Sequence, residues 1–157
     1  MGMYLAEALA ERTEVQARIH EVQNRLRQSA RIQEGDELIE DPAALLAELD
    51  GLFRRQEELI RLINATNAAT SFGDDGDTLA DALVRRDNIL QRRRFYAELA
   101  DAASARQDRY SRSEVKFVAA LDIRELRARA DELSKLFREL DTRIQQKNWL
   151  TEVLDRE

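Results

Sequence analysis

The chain has no cysteine, one proline, one histidine and five glycines in 157 residues. Each shortage excludes something. Without cysteine there is no disulfide framework, no thiolate metal ligand and no thiol nucleophile. The lone His20 cannot supply the two Glu-x-x-His motifs of a di-metal helical bundle, and the residue three before it is Ala17. A serine triad would need that same histidine, and no nucleophile elbow accompanies it. Neither a P-loop nor a G-x-G-x-x-G is present. No stretch approaches the roughly 18 apolar residues of a membrane span. The opening MGMYLAEALAERTEV carries Glu7 and Glu11 and no basic segment, unlike a secretory signal. The expectation is a cytoplasmic protein without enzymatic activity, metal or cofactor.

What is abundant is charge and leucine. Ala, Glu, Leu, Lys and Arg make up more than half of the chain, and charged residues 36%, against about 25% in an average globular domain. Apolar residues recur at alternating spacings of three and four. One series is Leu5, Ala8, Arg12, Val15, Ile19, Val22, Leu26, Ser29, Gln33; a second is Leu45, Leu49, Leu52, Gln56, Leu59, Ile63; a third is Leu126, Ala130, Leu133, Phe137, Leu140, Ile144. A 3.5-residue repeat keeps one stripe turned toward a partner helix. The pattern predicts an all-α protein, a single domain of four long helices in an antiparallel coiled-coil-like bundle.

Breaks and caps place the helices at about 3–33, 42–69, 79–107 and 123–154. Gly35 in the acidic stretch EGDELIED ends the first, and Asp41-Pro42 opens the second with an N-cap and a proline at N1. SFGDDGD at 71–77 is the strongest break, followed by Thr78 and Asp81 at capping-box spacing. The third helix is expected to carry Leu79, Leu83, Leu90 and Ala97 on one stripe, with Ile89 and Tyr96 beside it. Residues 108–121 read as an irregular or short extended connection. Leu46, Phe53 and Ile60 flank the second helix's main stripe at heptad spacing, a face wider than a two-stranded coil requires. Acid-first i,i+4 pairs, Glu14–Arg18, Glu21–Arg25, Glu125–Arg129, Asp131–Lys135 and Glu139–Arg143, are expected to brace the outer faces.

Three features invite chemistry. In DDGD, placing Gly76 at the glycine position of a calcium loop puts Gly73 and Ala82 where ligands belong, so an acidic turn before a helix start is the reading. Arg85, Arg86, Arg92, Arg93 and Arg94, interrupted only by Asp87, and the basic residues of 106–116 could contact nucleic-acid phosphates. A net charge of −6, with eight acids against Arg54 and Arg55 over 35–58, favours charge pairing between helices or subunits instead. Asn64 and Asn67 fall where apolar residues would continue a seam, and a seam asparagine fixes register and partner number. With the 71–77 turn between them, Asn64, Asn67, Thr70, Asp77, Arg85 and Arg86 are expected at one end of the bundle, with Tyr110, Arg112 and Glu114 folding back. This set is read as a polar cluster that fixes register, or alternatively as an anion pocket lined by Arg85, Arg86 and Arg112.

Several blocks together resemble a septicolysin-like family of small bacterial helical proteins: LAEALAERTEVQARI at 5–19, QEGDELIEDPAALLAEL at 33–49, INATN at 63–67, DTLADALVRRD at 77–87, RYSRSEVKF at 109–117 and NWLTEVL at 148–154. The resemblance implies helices throughout, supplies no catalytic residues, and by its name implies a membrane-lytic protein. Three functions follow in order: a self-associating structural or interaction protein, most simply a homo-dimer; a nucleic-acid-associated protein using the arginines of 85–94 and 106–116; and a lytic protein. No small-molecule ligand is readable.

Overall fold

The computed structural model describes residues 2–105 and 115–154. It contains four helices, α1 (Leu5–Gln28), α2 (Pro42–Ala69), α3 (Leu79–Ala103) and α4 (Ile123–Leu150). No strand occurs among the described residues; the nearest approach is an isolated antiparallel bridge between Tyr4 and Glu152. The all-α, helix-bundle class expected from the repeat is what the structure has. Its contacts divide the chain into two units, Met1–Ser71 with Gln146–Glu157, and Phe72–Gln145.

In the first unit α1 and α2 form an antiparallel hairpin. Leu5, Ala8, Val15, Ile19 and Val22 of α1 are buried, with Leu45, Leu59 and Ile63 of α2. Asp41 caps α2 by accepting from the Ala43 N–H at 3.0 Å, with Pro42 as its first residue. α1 stops at Gln28 rather than near 33. Past Leu26 the stripe positions are Ser29 and Gln33, which have nothing apolar to bury, and helices in proteins are held mainly by packing. Gly35, at φ +92°, turns the chain instead.

The end of the chain also differs from the expected helix to 154. α4 ends at Leu150, and the chain then runs extended beside the start of the protein. The Leu5 N–H donates to the Thr151 carbonyl at 2.7 Å, and the Val153 N–H to that of Met3 at 2.8 Å. The Leu154 N–H donates to Thr66 Oγ1 at 3.2 Å, and that hydroxyl itself donates to the Leu62 carbonyl at 2.8 Å. This clasp satisfies backbone groups that the first turn of α1 would leave unpaired.

In the second unit α3 and α4 run antiparallel. Arg86 pairs with Asp141 at 2.8 Å, Arg127 with Asp101 at 3.7 Å, and the Arg129 guanidinium lies 5.7 Å from the centre of the Tyr96 ring. The Phe72 N–H donates to the Asp77 carbonyl at 2.8 Å and closes the acidic turn, in which Gly73 and Gly76 take positive φ. Thr78 and Asp81 form the expected capping box, with Asp81 Oδ2 accepting from the Thr78 N–H at 2.8 Å and Thr78 Oγ1 from the Asp81 N–H at 3.2 Å. Residues 115–119 have no regular structure, as the sequence suggests for that connection; the rest of the expected irregular stretch, up to 114, lies outside the described residues.

The seam of α3 is not the expected one. Leu79, Ala82, Ile89 and Ala100 are buried, while Leu83, Leu90 and Ala97 are only half-buried. Between the buried positions, at the same three-and-four spacing, stand Arg86, Arg93 and Tyr96, all half-buried. Long arginine stems cover apolar surface while their heads stay wet, so the seam carries charged side chains and hides from a search for leucines. Facing it, Leu126, Ala130, Leu133, Leu140 and Ile144 of α4 are buried as the repeat predicts.

The Arg86–Asp141 pair, with side chains 24% and 34% exposed, stands between a surface pair worth about 0–1 kcal/mol and a fully buried one whose breakage costs about 3–5. Asp141→Ala is expected to cost about 1–2 kcal/mol, since it leaves Arg86 half-buried without its partner. Arg86→Met with Asp141→Leu is expected to recover most of that. Urea unfolding of the three proteins measures it, and an unchanged midpoint for Asp141→Ala would show that the pair is not holding α3 to α4.

Candidate functional site

Charge in the first unit is organised as a ladder. Glu11 accepts from Arg55 through both oxygens, at 2.7 and 2.9 Å. Arg18 reaches Glu48, with Nη2 2.6 Å from Oε1, and Arg25 forms a two-point pair with Glu40, its Nε at 3.2 Å. On α1 the rungs are seven residues apart, so they share the edge beside the apolar seam where coiled coils place their interhelical pairs. Of the i,i+4 pairs expected within α1, Glu21–Arg25 survives at 3.9 Å, while Arg18 turns to Glu21 and Glu48 and not to Glu14. Planar two-point pairing across helices outcompetes the weak intrahelical contact. On α4 the Glu125–Arg129 pair forms at 2.9 Å, and Arg143 leaves Glu139 to stack 4.7 Å from the centre of the Phe72 ring.

The residues expected as a polar cluster have individual fates. Asn64 is exposed and Asn67 half-buried, and the buried polar residue of that tract is Thr66, 1% exposed. Thr70 donates its hydroxyl to the Thr66 carbonyl at 2.6 Å. Asp77 and Arg85 are brought together as an ion pair at 2.5 Å, while Arg86 turns to Asp141. Both guanidinia thus already hold a carboxylate. Tyr110, Arg112 and Glu114 lie outside the described residues. His20 is exposed, and no group of three or more metal-binding side chains occurs among the described residues.

Three surface features among the described residues bear on a site. A cleft of about 390 Å³ at the acidic turn is lined by Phe72, Gly73, Asp74, Asp75, Arg85 and Arg143. Mixed charge of this kind suits a hydrated polar turn more than a selective site. A second, of about 360 Å³, runs along α3 between Asn88, Gln91, Arg92, Phe95 and Tyr96. Phe95 is 58% exposed there, and its ring meets that of Tyr96 edge-on, 6.2 Å between centres. The third is the outer face of α2, where Leu46, Phe53 and Ile60 all stand exposed in one line. Of these, the sequence spacing had singled out the α2 line. The rungs of the ladder were readable in principle from Glu11, Arg18 and Arg25 at intervals of seven.

The ladder sets the acid response of the unit. The Arg55 guanidinium holds Glu11 below the ordinary carboxylate range, and Arg25 does the same for Glu40. A carboxylate depressed in the folded state lends stability that is complete above its unfolded value, about 4.3 for glutamate, and is lost as pH falls through the folded value. Denaturant stability is therefore expected to hold from neutral pH down to about 5 and to fall below about 4. Glu11→Gln with Glu40→Gln should lower the plateau and flatten the acid limb; an unchanged limb would show that other groups control it.

Comparison with known proteins adds lineage without a role. Residues 12–153 match the model of a family described as "Family of unknown function (DUF6847)". A crystal structure titled as a functionally unknown conserved protein from Corynebacterium diphtheriae is similar at 50% identity and a TM-score of 0.91, covering 98% of this chain and 100% of its own. No curated protein matches. The septicolysin-like resemblance is overturned by these findings: the family matched over 12–153 is one of unknown function, and nothing in the comparisons points to septicolysin. Short blocks of Ala, Glu, Leu and Arg recur in unrelated long helices, so they carry little lineage by themselves.

Proposed function

The chain belongs to DUF6847, a family of unknown function, and we propose that it is a non-enzymatic cytoplasmic interaction protein that self-associates through the outer face of α2. The observation that carries this reading is the line of Leu46, Phe53 and Ile60, exposed at heptad spacing along one helix. The repeat of seven is the spacing that meets another helix. Asn64 is exposed one turn beyond Ile60, where a polar residue in a helix–helix seam selects register. A two-fold dimer, with α2 packed antiparallel on its copy, is the simplest closed arrangement. No described helix is long and apolar enough to cross a membrane.

Nucleic-acid association is the second reading, favoured by one observation. Phe95 offers an exposed ring near Arg92 and next to Arg94, and neither arginine has an ion-pair partner among the described residues. Rings beside free cations suit stacked single-stranded bases. The net charge of −6 opposes it.

Sedimentation across the micromolar range is expected to give at least twice the 18.1 kDa chain mass. Phe53→Asp, on an exposed position, should dissociate the assembly without lowering helix content by circular dichroism. A wild-type mass that stays at 18.1 kDa would refute self-association. Binding of labelled oligonucleotide at low salt that weakens steeply as salt rises would promote the second reading.

A further inference from the structure

The loop between α1 and α2 presents apolar side chains to water in a way a simple connection does not need. Ile39 is 99% exposed, and Leu38 and Ile32 are each 52% exposed. The loop is nonetheless anchored. The Asp36 N–H donates to the Gln33 carbonyl at 3.1 Å, Glu40 is held by Arg25, and Asp41 is fixed as the N-cap of α2. Ile39 is thus held outward by bonded neighbours on its C-terminal side. Around it Glu34, Asp36 and Glu37 have no ion-pair partner among the described residues. The loop is a preorganised projection, apolar at its tip and acidic on its flanks, and preorganisation lowers the entropic cost of docking.

The complementary surface is on α3. The groove lined by Asn88, Gln91, Arg92, Phe95 and Tyr96 has an apolar floor in the exposed Phe95 ring, and Val84, 70% exposed, lies on the same helix face. Arg92 lines this groove and Arg94 immediately precedes Phe95, both exposed. The loop and the α3 groove each pair an apolar centre with flanking charge, and their signs are opposite.

We propose that the loop tip of one copy, Leu38 and Ile39, docks into the α3 groove of a second copy, with Glu34, Asp36 and Glu37 facing Arg92 and Arg94. The contact rests on the self-association proposed above and adds a second surface to the α2 face. It explains why an isoleucine is held fully in water beside three unpaired acids, and why two arginines beside Phe95 stay unpaired in a chain with six more acids than bases. Charge complementarity of this kind fixes partner and orientation more than it adds affinity. A loop that reaches a different surface on its partner joins copies reciprocally into a closed pair or successively into a row.

A charge swap tests it, because every arm uses the full chain with exposed substitutions. Glu34→Lys/Asp36→Lys/Glu37→Lys places a basic loop against a basic groove, and Arg92→Glu/Arg94→Glu an acidic groove against an acidic loop. Each variant alone is expected to self-associate at least about tenfold more weakly than the wild type by sedimentation. Mixed, they should associate with each other close to wild-type strength, since each then offers the partner it lacks. Ile39→Ser should weaken association without changing its salt dependence. If both charge variants associate as the wild type does while Phe53→Asp dissociates, the loop docking is wrong and the α2 reading stands. If the wild type itself stays at 18.1 kDa, both fall. If the arginine variant weakens association but mixing does not restore it, and the wild type holds an oligonucleotide that this variant releases, the groove belongs to nucleic acid and the docking is overturned.

Discussion

Two helices that meet along aliphatic side chains can slide past each other by a heptad with little loss of buried area, and interhelical ion pairs remove that freedom here. Against α1, the order Arg55, Glu48, Glu40 faces Glu11, Arg18, Arg25. The sign reverses once along the ladder: α1 supplies the acid at the first rung and the base at the other two. Sliding one way by a heptad would set Arg55 against Arg18, and sliding the other way would set Glu11 against Glu48. The single pairs are partly exposed and each contributes little to stability, but together they select the register. Leu46, Phe53 and Ile60 are outward because the stripe of Leu45, Leu59 and Ile63 is inward.

The second unit solves the same problem with fewer charges placed deeper. Arg86 sits in the α3 seam among Leu79, Ala82 and Ile89 and finds Asp141 on α4. A polar pair inside an apolar seam penalises every register but one, because a shifted arginine would lose its carboxylate while staying half out of water. The two helix pairs therefore share a logic and differ in where they set the charge, at the edge of the seam in one and within it in the other.

Much of this was legible in the residues. α2 begins and ends where its N-cap, proline and repeat place it, and the Thr78–Asp81 box starts α3 as read. These signals are local: a cap needs only its own turn. The misreadings are non-local. The heptad could not show that α1 stops at Gln28, because that depends on what lies opposite Ser29. Arg86 reads as part of a polar cluster and Arg93 as part of a basic run, because a guanidinium head is polar whatever its stem covers. The Asn64–Asn67 tract was legible as unusual, but which of its residues goes inward depends on the helix's rotation, and that turned Thr66 in. The clasp of Thr151 and Val153 had no signature, since backbone pairing can be made by nearly any side chain. The three residues expected from the 106–116 stretch fall outside the described part of the chain.

That clasp has a kinetic meaning. Its bonds, from Leu5 to Thr151 and from Val153 to Met3, join positions almost the full length of the chain apart. The entropy of closing a loop grows with its length, though only logarithmically, and contacts of such separation form late in folding. The helix hairpins, whose partners are close in sequence, can form first, and the clasp then closes on a first turn of α1 already in place. The same order runs in reverse: the edge that closes last, held by a few backbone bonds and the Thr66 hydroxyl, is the edge from which local opening starts. In hydrogen exchange the amides of Leu5 and Val153 should thus report local fraying, while those of Val15 and Leu59 report the unfolding of the hairpin.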